Sequence, residues 1–292
     1  MIESLEQYRR IAIQAPEGLK RIAEDLAADL QSRGKEVFLF ADPCYGACDL
    51  KDREAKALGA EVLLHMGHKD FGLEKSIPVI FYPYYYDIEV REENVAKISE
   101  LLGEKSFSIC HSVNFEKVAQ ALYSMLEARG KTARSLLCVL GCTFPEIRED
   151  VALYVGDGAF HPLGIALKNT SVMTFDPLAK TVSEMDAERN RFERKRRGAL
   201  AGVLSANRVG VIVSTKRGQC RMEEAVKIKR ALEREGKSAE LLVMDRIDAG
   251  SLVGYRVDAY INTACPRIAT DDGFDKPMIN YQEYYDCKEE GS

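Results

Sequence analysis

Residues 9–44, RRIAIQAPEGLKRIAEDLAADLQSRGKEVFLFADPC, are matched in pattern by residues 105–142, KSFSICHSVNFEKVAQALYSMLEARGKTARSLLCVLGC, and again by residues 207–244, NRVGVIVSTKRGQCRMEEAVKIKRALEREGKSAELLVM. Each copy reads as a short β-branched run, a loop, an amphipathic helix ending in Gly-Lys, and a second apolar run. The Gly-Lys marks fall at Gly34-Lys35, Gly130-Lys131 and Gly236-Lys237. Glycine there supplies the left-handed residue that closes a helix before the chain turns back into a sheet. The two runs of each copy are therefore expected to be parallel strands joined by a right-handed crossover. Loops at the carboxyl ends of such strands gather along one edge, where ligands bind.

Working outward, further strands are expected at 61–66 and 78–82 in the first copy, 151–155 and 172–175 in the second, and 258–262 and 278–280 in the third. The expected architecture is α/β: three pseudo-repeated domains, each with a small, mostly parallel sheet flanked by helices, around a common centre. The boundaries fall at 1–104, 105–205 and 206–292, with a long connecting helix over 178–205. No Pro-, Gly- or Ser-rich linker separates the copies, so they are expected to pack together. The connecting helix carries ERNRFERKRR, which reads as a solvated face or as a surface for an acidic or RNA-bearing partner.

Hydrophobic residues make up 46% of the 292 and charged residues 30%, which suits a chain that buries a core and argues against disorder. The formal net charge of -5 excludes bulk electrostatic attraction to nucleic acid or an anionic membrane, so a protein or small-molecule partner is expected. The N-terminal MIESLEQYRR lacks the pattern of a secretory signal, and no run of about 18 apolar residues follows. The expected location is cytoplasmic. In a reducing compartment the eight cysteines are buried small hydrophobes, metal ligands or nucleophiles.

Three of them share one position, just past the C-terminal end of a strand: Cys48 in ADPCYGACD, Cys142 in VLGCTFPE and Cys265 in INTACPRIATDD. Soft thiolates at one site select an iron-sulfur cluster, zinc or copper(I), and three protein ligands leave one coordination position open for chemistry. Zinc is less favoured because no Cys-x-x-Cys pair is present. Cys110 and Cys138 lie inside strand runs and read as packing, and Cys220 and Cys287 as free thiols. Cys44 rivals Cys48 for the first loop. The usual radical S-adenosylmethionine spacing is broken because position 51 is Lys. His65 and His68 in LLHMGH read either as a metal pair or as hydrogen-bonding loop anchors, and are not counted as ligands.

At these residues the chain resembles a known family, the archaeal 2-(3-amino-3-carboxypropyl)histidine synthases that open diphthamide biosynthesis. The resemblance rests on DPCYGACD (42–49), HMGH (65–68), VLGCTFP (139–145), YVGDGAFHPLG (154–164), STKRGQ (214–219) and NTACPRIATDD (262–272), and so spans nearly the whole chain. It implies a homodimer of three-domain subunits with a 4Fe-4S cluster on Cys48, Cys142 and Cys265, one from each domain. It also implies that a reduced cluster passes an electron to the sulfonium of S-adenosylmethionine, cleaving the Cγ–S bond. A 3-amino-3-carboxypropyl group with radical character then adds to C2 of a histidine of translation elongation factor 2, leaving methylthioadenosine. An electron donor is implied as a further partner. Neither a membrane nor direct nucleic-acid binding is expected.

No catalytic residue is assigned beyond the cluster ligands. Candidate binders of S-adenosylmethionine or of the incoming histidine come from the loops after each first strand: Pro16 and Glu17, His111 and Ser112, and Ser214, Lys216, Gly218 and Gln219. Asp157 and His161 in GDGAFH join them for the ribose or the histidine, and Arg267 is expected to pair with Asp271 or Asp272 or to face the cluster. Two rivals stand beside this reading. One is a quinolinate-synthase-like dehydratase, whose open iron acts as a Lewis acid; the other is a non-catalytic iron-sulfur subunit that passes electrons to a partner.

Overall fold

The computed structural model describes residues 2–139, 144–168, 171–270 and 273–290, so Cys142, Asp271 and Asp272 lie outside the described residues. The chain divides into two compact units, Met1–Asp186 and Ala187–Ser292.

The first unit opens with α1 (Ile2–Leu5), β1 (Arg10–Gln14), α2 (Lys20–Ser32), β2 (Glu36–Leu39), α3 (Asp52–Ala57), β3 (Val62–Met66) and β4 (Val79–Tyr82). These strands form a parallel sheet in the order β2-β1-β3-β4. β1 and β3 are apolar on both faces because helices cover both, as parallel sheets require. Ile11, Ile13, Leu64 and Met66 pack on Ala23, Leu26 and Leu30 of α2, while Ala12 and Leu63 meet Leu50 and Ala55 on the other side.

The same unit continues with α4 (Glu92–Leu102), β5 (Phe107–His111), α5 (Glu116–Glu127), β6 (Leu136–Cys138), β7 (Val151–Val155), α6 (Phe160–Ala166), β8 (Ser171–Asp176) and β9 (Thr181–Glu184). The sheet order is β6-β5-β7-β8-β9, with β9 antiparallel to β8. The helix expected over 178–205 is thus shorter at its start. Asp176 Oδ1 accepts hydrogen bonds from the Leu178 and Ala179 amides, both at 2.9 Å, and this turn sends the β-branched Thr181-Val182 pair back along β8. Val182 is buried against the sheet, an anchor that favours strand over helix.

The second unit begins at the second residue of α7 (Asp186–Ser205) and holds β10 (Arg208–Ser214), α8 (Met222–Arg234), β11 (Ser238–Met244), α9 (Ala249–Leu252), β12 (Ala259–Asn262), β13 (Met278–Asn280) and α10 (Tyr281–Glu290). Its parallel sheet runs β11-β10-β12-β13. Val203 of α7 and Ala225, Ile228 and Leu232 of α8 pack on Val209, Val211 and Ile261. The basic stretch of α7 is partly neutralised locally, since Glu193 lies 3.7 Å from both Arg189 and Arg197, and Arg196 pairs with Glu283.

One winding therefore occurs three times, and each crossover helix is closed the same way. Gly34, Gly130 and Gly236 have φ of 79°, 76° and 81°. The following lysine amide reaches back to Leu30, Leu126 or Leu232 at 3.0–3.1 Å, as the left-handed closure requires. The glycine-marked parallel crossovers expected from the sequence are present in all three sheets.

Candidate functional site

In the first unit the carboxyl edge is organised by one buried amide. Gln14, the last residue of β1, donates from Nε2 to the Asp49 carbonyl at 2.6 Å, and its Oε1 accepts from the Lys51 amide at 3.2 Å. This pins the 49–51 end of the loop that carries the half-buried Cys48, and a further turn closes from the Asp49 amide to the Gly46 carbonyl at 3.0 Å. Gln14 Oε1 also lies 3.1 Å from His65 Nδ1. An amide oxygen can only accept, so the His65 proton sits on Nδ1. Nε2 of His65 is then the lone-pair nitrogen, and it accepts from Nδ1 of His68 at 3.0 Å.

Gly67 makes that contact possible. Its φ is +81°, and a Cβ there would stand 2.9 Å from Leu19, so only glycine lets the chain turn His68 back over His65. Burial holds the pKa of His65 down to about 3, reinforced by His68. Burial likewise holds His68 at about 4, opposed by a hydrogen bond to the Met66 backbone and assisted by His161. Both imidazoles are neutral at pH 7. The Cys44 thiol is buried on the same edge, and one donor atom from each of Cys44, His65 and His68 lies within 4.8 Å of the others.

The edges of the two sheets in this unit meet. Asn114 Nδ2 donates to the Tyr84 carbonyl at 2.7 Å, the Tyr86 amide to the Asn114 carbonyl at 2.9 Å, and Lys69 pairs with Glu116 at 3.3 Å. His111 Nδ1 donates to the Ser112 carbonyl at 3.0 Å, which leaves its Nε2 as the acceptor. Burial lowers the pKa of His111. Tyr154 is fully buried at the middle of this edge, with its hydroxyl 3.3 Å from His161 Nδ1 and the two rings stacked. Burial pushes the Tyr154 phenol up, and the nearby Asp157 adds to that. All four histidines of the chain thus lie on the facing carboxyl edges of one unit. Cys110 is fully buried in β5, and burial pushes its thiol up to about 12, which suits the packing role read from sequence.

In the second unit the carboxyl edge is organised by another buried amide. Asn262, the last residue of β12, donates from Nδ2 to the Cys265 carbonyl and to Asn280 Oδ1, each at 2.8 Å, and its Oδ1 accepts from the Ala264 amide at 3.0 Å. Asn280, from β13, donates to the Pro266 carbonyl at 3.2 Å, and Thr263 Oγ1 to the Ile212 carbonyl at 2.7 Å. The Cys265 loop is therefore fixed from both flanking strands, with its thiol half-buried. Ser214, Lys216 and Gln219, at and after the end of the neighbouring strand β10, are all buried. Ser214 Oγ accepts from the Lys216 amide at 3.2 Å, Lys216 Nζ pairs with Asp245 at 3.3 Å, and the Gln219 amide closes a turn onto the Lys216 carbonyl at 2.9 Å.

His111 and Ser214 end the first strands β5 and β10, Pro16, Glu17, Ser112 and the turn from Lys216 through Gly218 to Gln219 follow β1, β5 and β10, and Asp157 and His161 follow β7. Gln14, Asn262 and Asn280 hold the cysteine loops and were not singled out by sequence reasoning. A polar amide ending an apolar strand run is the signal that could have found the first two. Tyr154 was missed because it reads as one more apolar strand residue.

These edges define a class: repeated α/β sheets whose carboxyl loops carry rigidly held thiols, with histidines along the edges of the first unit, the setting of a metal-dependent enzyme. A family model described as "Putative diphthamide synthesis protein" matches residues 15–288. The 2-(3-amino-3-carboxypropyl)histidine synthase of Pyrococcus horikoshii is 37% identical over 94% of this chain and 84% of its own length, and that of Methanocaldococcus jannaschii is 34% identical over 97% and 86%. The crystal structure of Dph2 from Pyrococcus horikoshii with a 4Fe-4S cluster superposes with a TM-score of 0.85 at 35% identity, over 97% of this chain and 88% of that one. The chain belongs to the diphthamide synthesis family.

Proposed function

We propose that the chain catalyses the first step of diphthamide formation, moving the 3-amino-3-carboxypropyl group of S-adenosylmethionine to C2 of a histidine of translation elongation factor 2. The observation that carries this reading is the similarity over almost the full length to archaeal enzymes of that name, a similarity that includes both pinned cysteine loops. The reaction balances without net oxidation: the carbon-sulfur bond breaks, a carbon-carbon bond forms, and the C2 hydrogen leaves as a proton.

Cys48, Cys142 and Cys265, one from each of the repeats at 1–104, 105–205 and 206–292, would hold the 4Fe-4S cluster. The donor set fits such a group: Cys48 and Cys265 are half-buried thiols on loops fixed by Gln14 and by Asn262 with Asn280, and thiolates are the ligands iron-sulfur clusters take. When bound, the cluster supplies a low-potential electron and an open iron position. The chain's own task is to bind, orient and exclude water. Pinned loops serve orientation, where a displacement of about 1 Å can cost orders of magnitude in rate. Ser214, Lys216, Gly218 and Gln219, with Pro16, Glu17, His111 and Ser112, are the proposed contacts to the amino acid and ribose of S-adenosylmethionine. Asp157 and His161 are the proposed contacts to the ribose or to the incoming histidine. Among the described residues no helix is long and apolar enough to cross a membrane. A cytoplasmic homodimer served by a separate electron donor completes the proposal.

The test is anaerobic reconstitution followed by an iron count, electron paramagnetic resonance with and without S-adenosylmethionine, and chromatography for methylthioadenosine after dithionite reduction. A cluster signal that changes with S-adenosylmethionine, and methylthioadenosine lost in Cys48→Ala, Cys142→Ala and Cys265→Ala, are expected. An unchanged signal with no methylthioadenosine would return the dehydratase and electron-carrier readings to the front.

A further inference from the structure

We propose that Cys44, His65 and His68 form a second metal site, separate from the cluster, which binds one divalent first-row transition ion with zinc as the natural occupant. The three ligands come from two segments, the loop after β2 and the end of β3 with its following turn, and their donor atoms lie within 4.8 Å of one another. One thiolate and two imidazoles is a donor set that suits zinc and excludes magnesium or calcium.

Coordination requires the thiol to close in from within 4.8 Å and the two nitrogens to open slightly. With metal–nitrogen bonds of about 2.0 Å and a metal–sulfur bond of about 2.3 Å, tetrahedral ligands stand about 3.3 to 3.6 Å apart. His65 Nε2 and His68 Nδ1 are 3.0 Å apart, so an ion between them requires those nitrogens to part by only a few tenths of an ångström. Cys44 is 8% exposed and His65 fully buried, whereas His68 is half-buried.

Around His65 the supporting contacts of a metal ligand are already present. Gln14 Nε2 is committed to the Asp49 carbonyl, so Gln14 Oε1 must take the His65 Nδ1 proton and present Nε2 as a lone pair. Fixing the non-ligating nitrogen on an oxygen acceptor is how proteins orient metal-bound histidine. Gly67 then sets the turn that brings the second imidazole to the same point. Protons balance simply. His68 is neutral with its proton on Nδ1; on binding, that proton moves to Nε2, and the Cys44 thiol loses one proton to solvent. Each ion bound therefore releases one proton.

The experiment uses the anaerobically purified protein with its iron-sulfur cluster in place, and the probe is Zn2+ alone. Zinc per chain is counted after gel filtration, and X-ray absorption is recorded at the zinc edge, where iron does not interfere. One zinc per chain with one sulfur and two imidazole nitrogens is expected. Cys44→Ser should remove the sulfur scatterer, and His68→Ala should weaken zinc binding at least tenfold, no less than the loss of a supporting contact costs. Cys48→Ala should leave the zinc signal as it was, and circular dichroism checks each variant's fold. No zinc uptake, a zinc edge without sulfur in the unaltered protein, or zinc kept by Cys44→Ser and lost by Cys48→Ala would overturn the assignment.

Discussion

Replacing Asn262 by alanine tests whether the Cys265 loop is held as described. The side chain is fully buried and makes three hydrogen bonds, two donated from Nδ2 and one accepted at Oδ1. Each such bond contributes about 1 kcal/mol net, and buried partners left unsatisfied cost about 1 to 3 kcal/mol each. Asn280 keeps its bond to the Pro266 carbonyl, so part of the loop stays anchored and the losses do not simply add. A destabilisation of about 2 to 4 kcal/mol is expected in urea unfolding of the cluster-free chain, with an unchanged slope. Thir neighbouring control is Thr263→Val, which removes only the bond to the Ile212 carbonyl and should cost about 1 kcal/mol. Asn262→Asp should cost at least as much as alanine at neutral pH, because a carboxylate oxygen would face two acceptors. After reconstitution, Asn262→Ala should also hold less iron than Thr263→Val. A loss below about 1 kcal/mol, with iron content equal to that of the unaltered protein, would refute the view that this amide positions the cysteine.

Further outcomes follow from the same structure. Gln14→Ala removes a donor and an acceptor that together hold the Cys48 loop and His65, and is expected to cost about 2 to 4 kcal/mol in urea unfolding and to lower iron retention. Because the folded pKa values of His65 and His68 lie at about 3 and about 4, below the ordinary 6.5, the unfolded chain binds protons first as pH falls. Their contribution is complete above pH 6.5 and is lost on acidification toward the folded values, at about 1.4 kcal/mol per pH unit for each histidine at most. Urea unfolding of chelator-treated protein between pH 7 and 5 should show this slope, and His68→Asn should reduce it. Gly34→Ala, Gly130→Ala and Gly236→Ala meet open space but a left-handed backbone, so each should cost about 1 kcal/mol by the same assay. In the native, cluster-free protein, iodoacetamide at pH 8 should label the exposed Cys220 and spare the buried Cys110, read by mass spectrometry of peptides.

The three-sheet plan was legible because local chemistry writes it. Parallel strands covered on both faces leave apolar runs, and each crossover helix needs a left-handed residue at its end, so Gly34, Gly130 and Gly236 punctuate the repeat. The start of α7 was not legible, because residues 178–180 carry no strong breaker and the choice of strand for Thr181 to Glu184 depends on Val182 finding a place against β8. The position of Cys48 and Cys265 after strands could be read from the chain, and so could the family resemblance. Which polar residues support those loops could not.

Gln14 and His65 are 51 positions apart and Asn262 and Asn280 are 18 apart, and only the lateral pairing of their strands brings them together. In the same way, His65 and His68 alone read equally well as loop anchors or as a metal pair. The sequence determined the winding and the chemical types along its edge, because those depend on periodicity and on residues next to one another. The tertiary structure decided that the Cys44 thiol joins the two imidazoles, because that depends on where the loop after β2 lies beside β3, a long-range contact that no local pattern encodes.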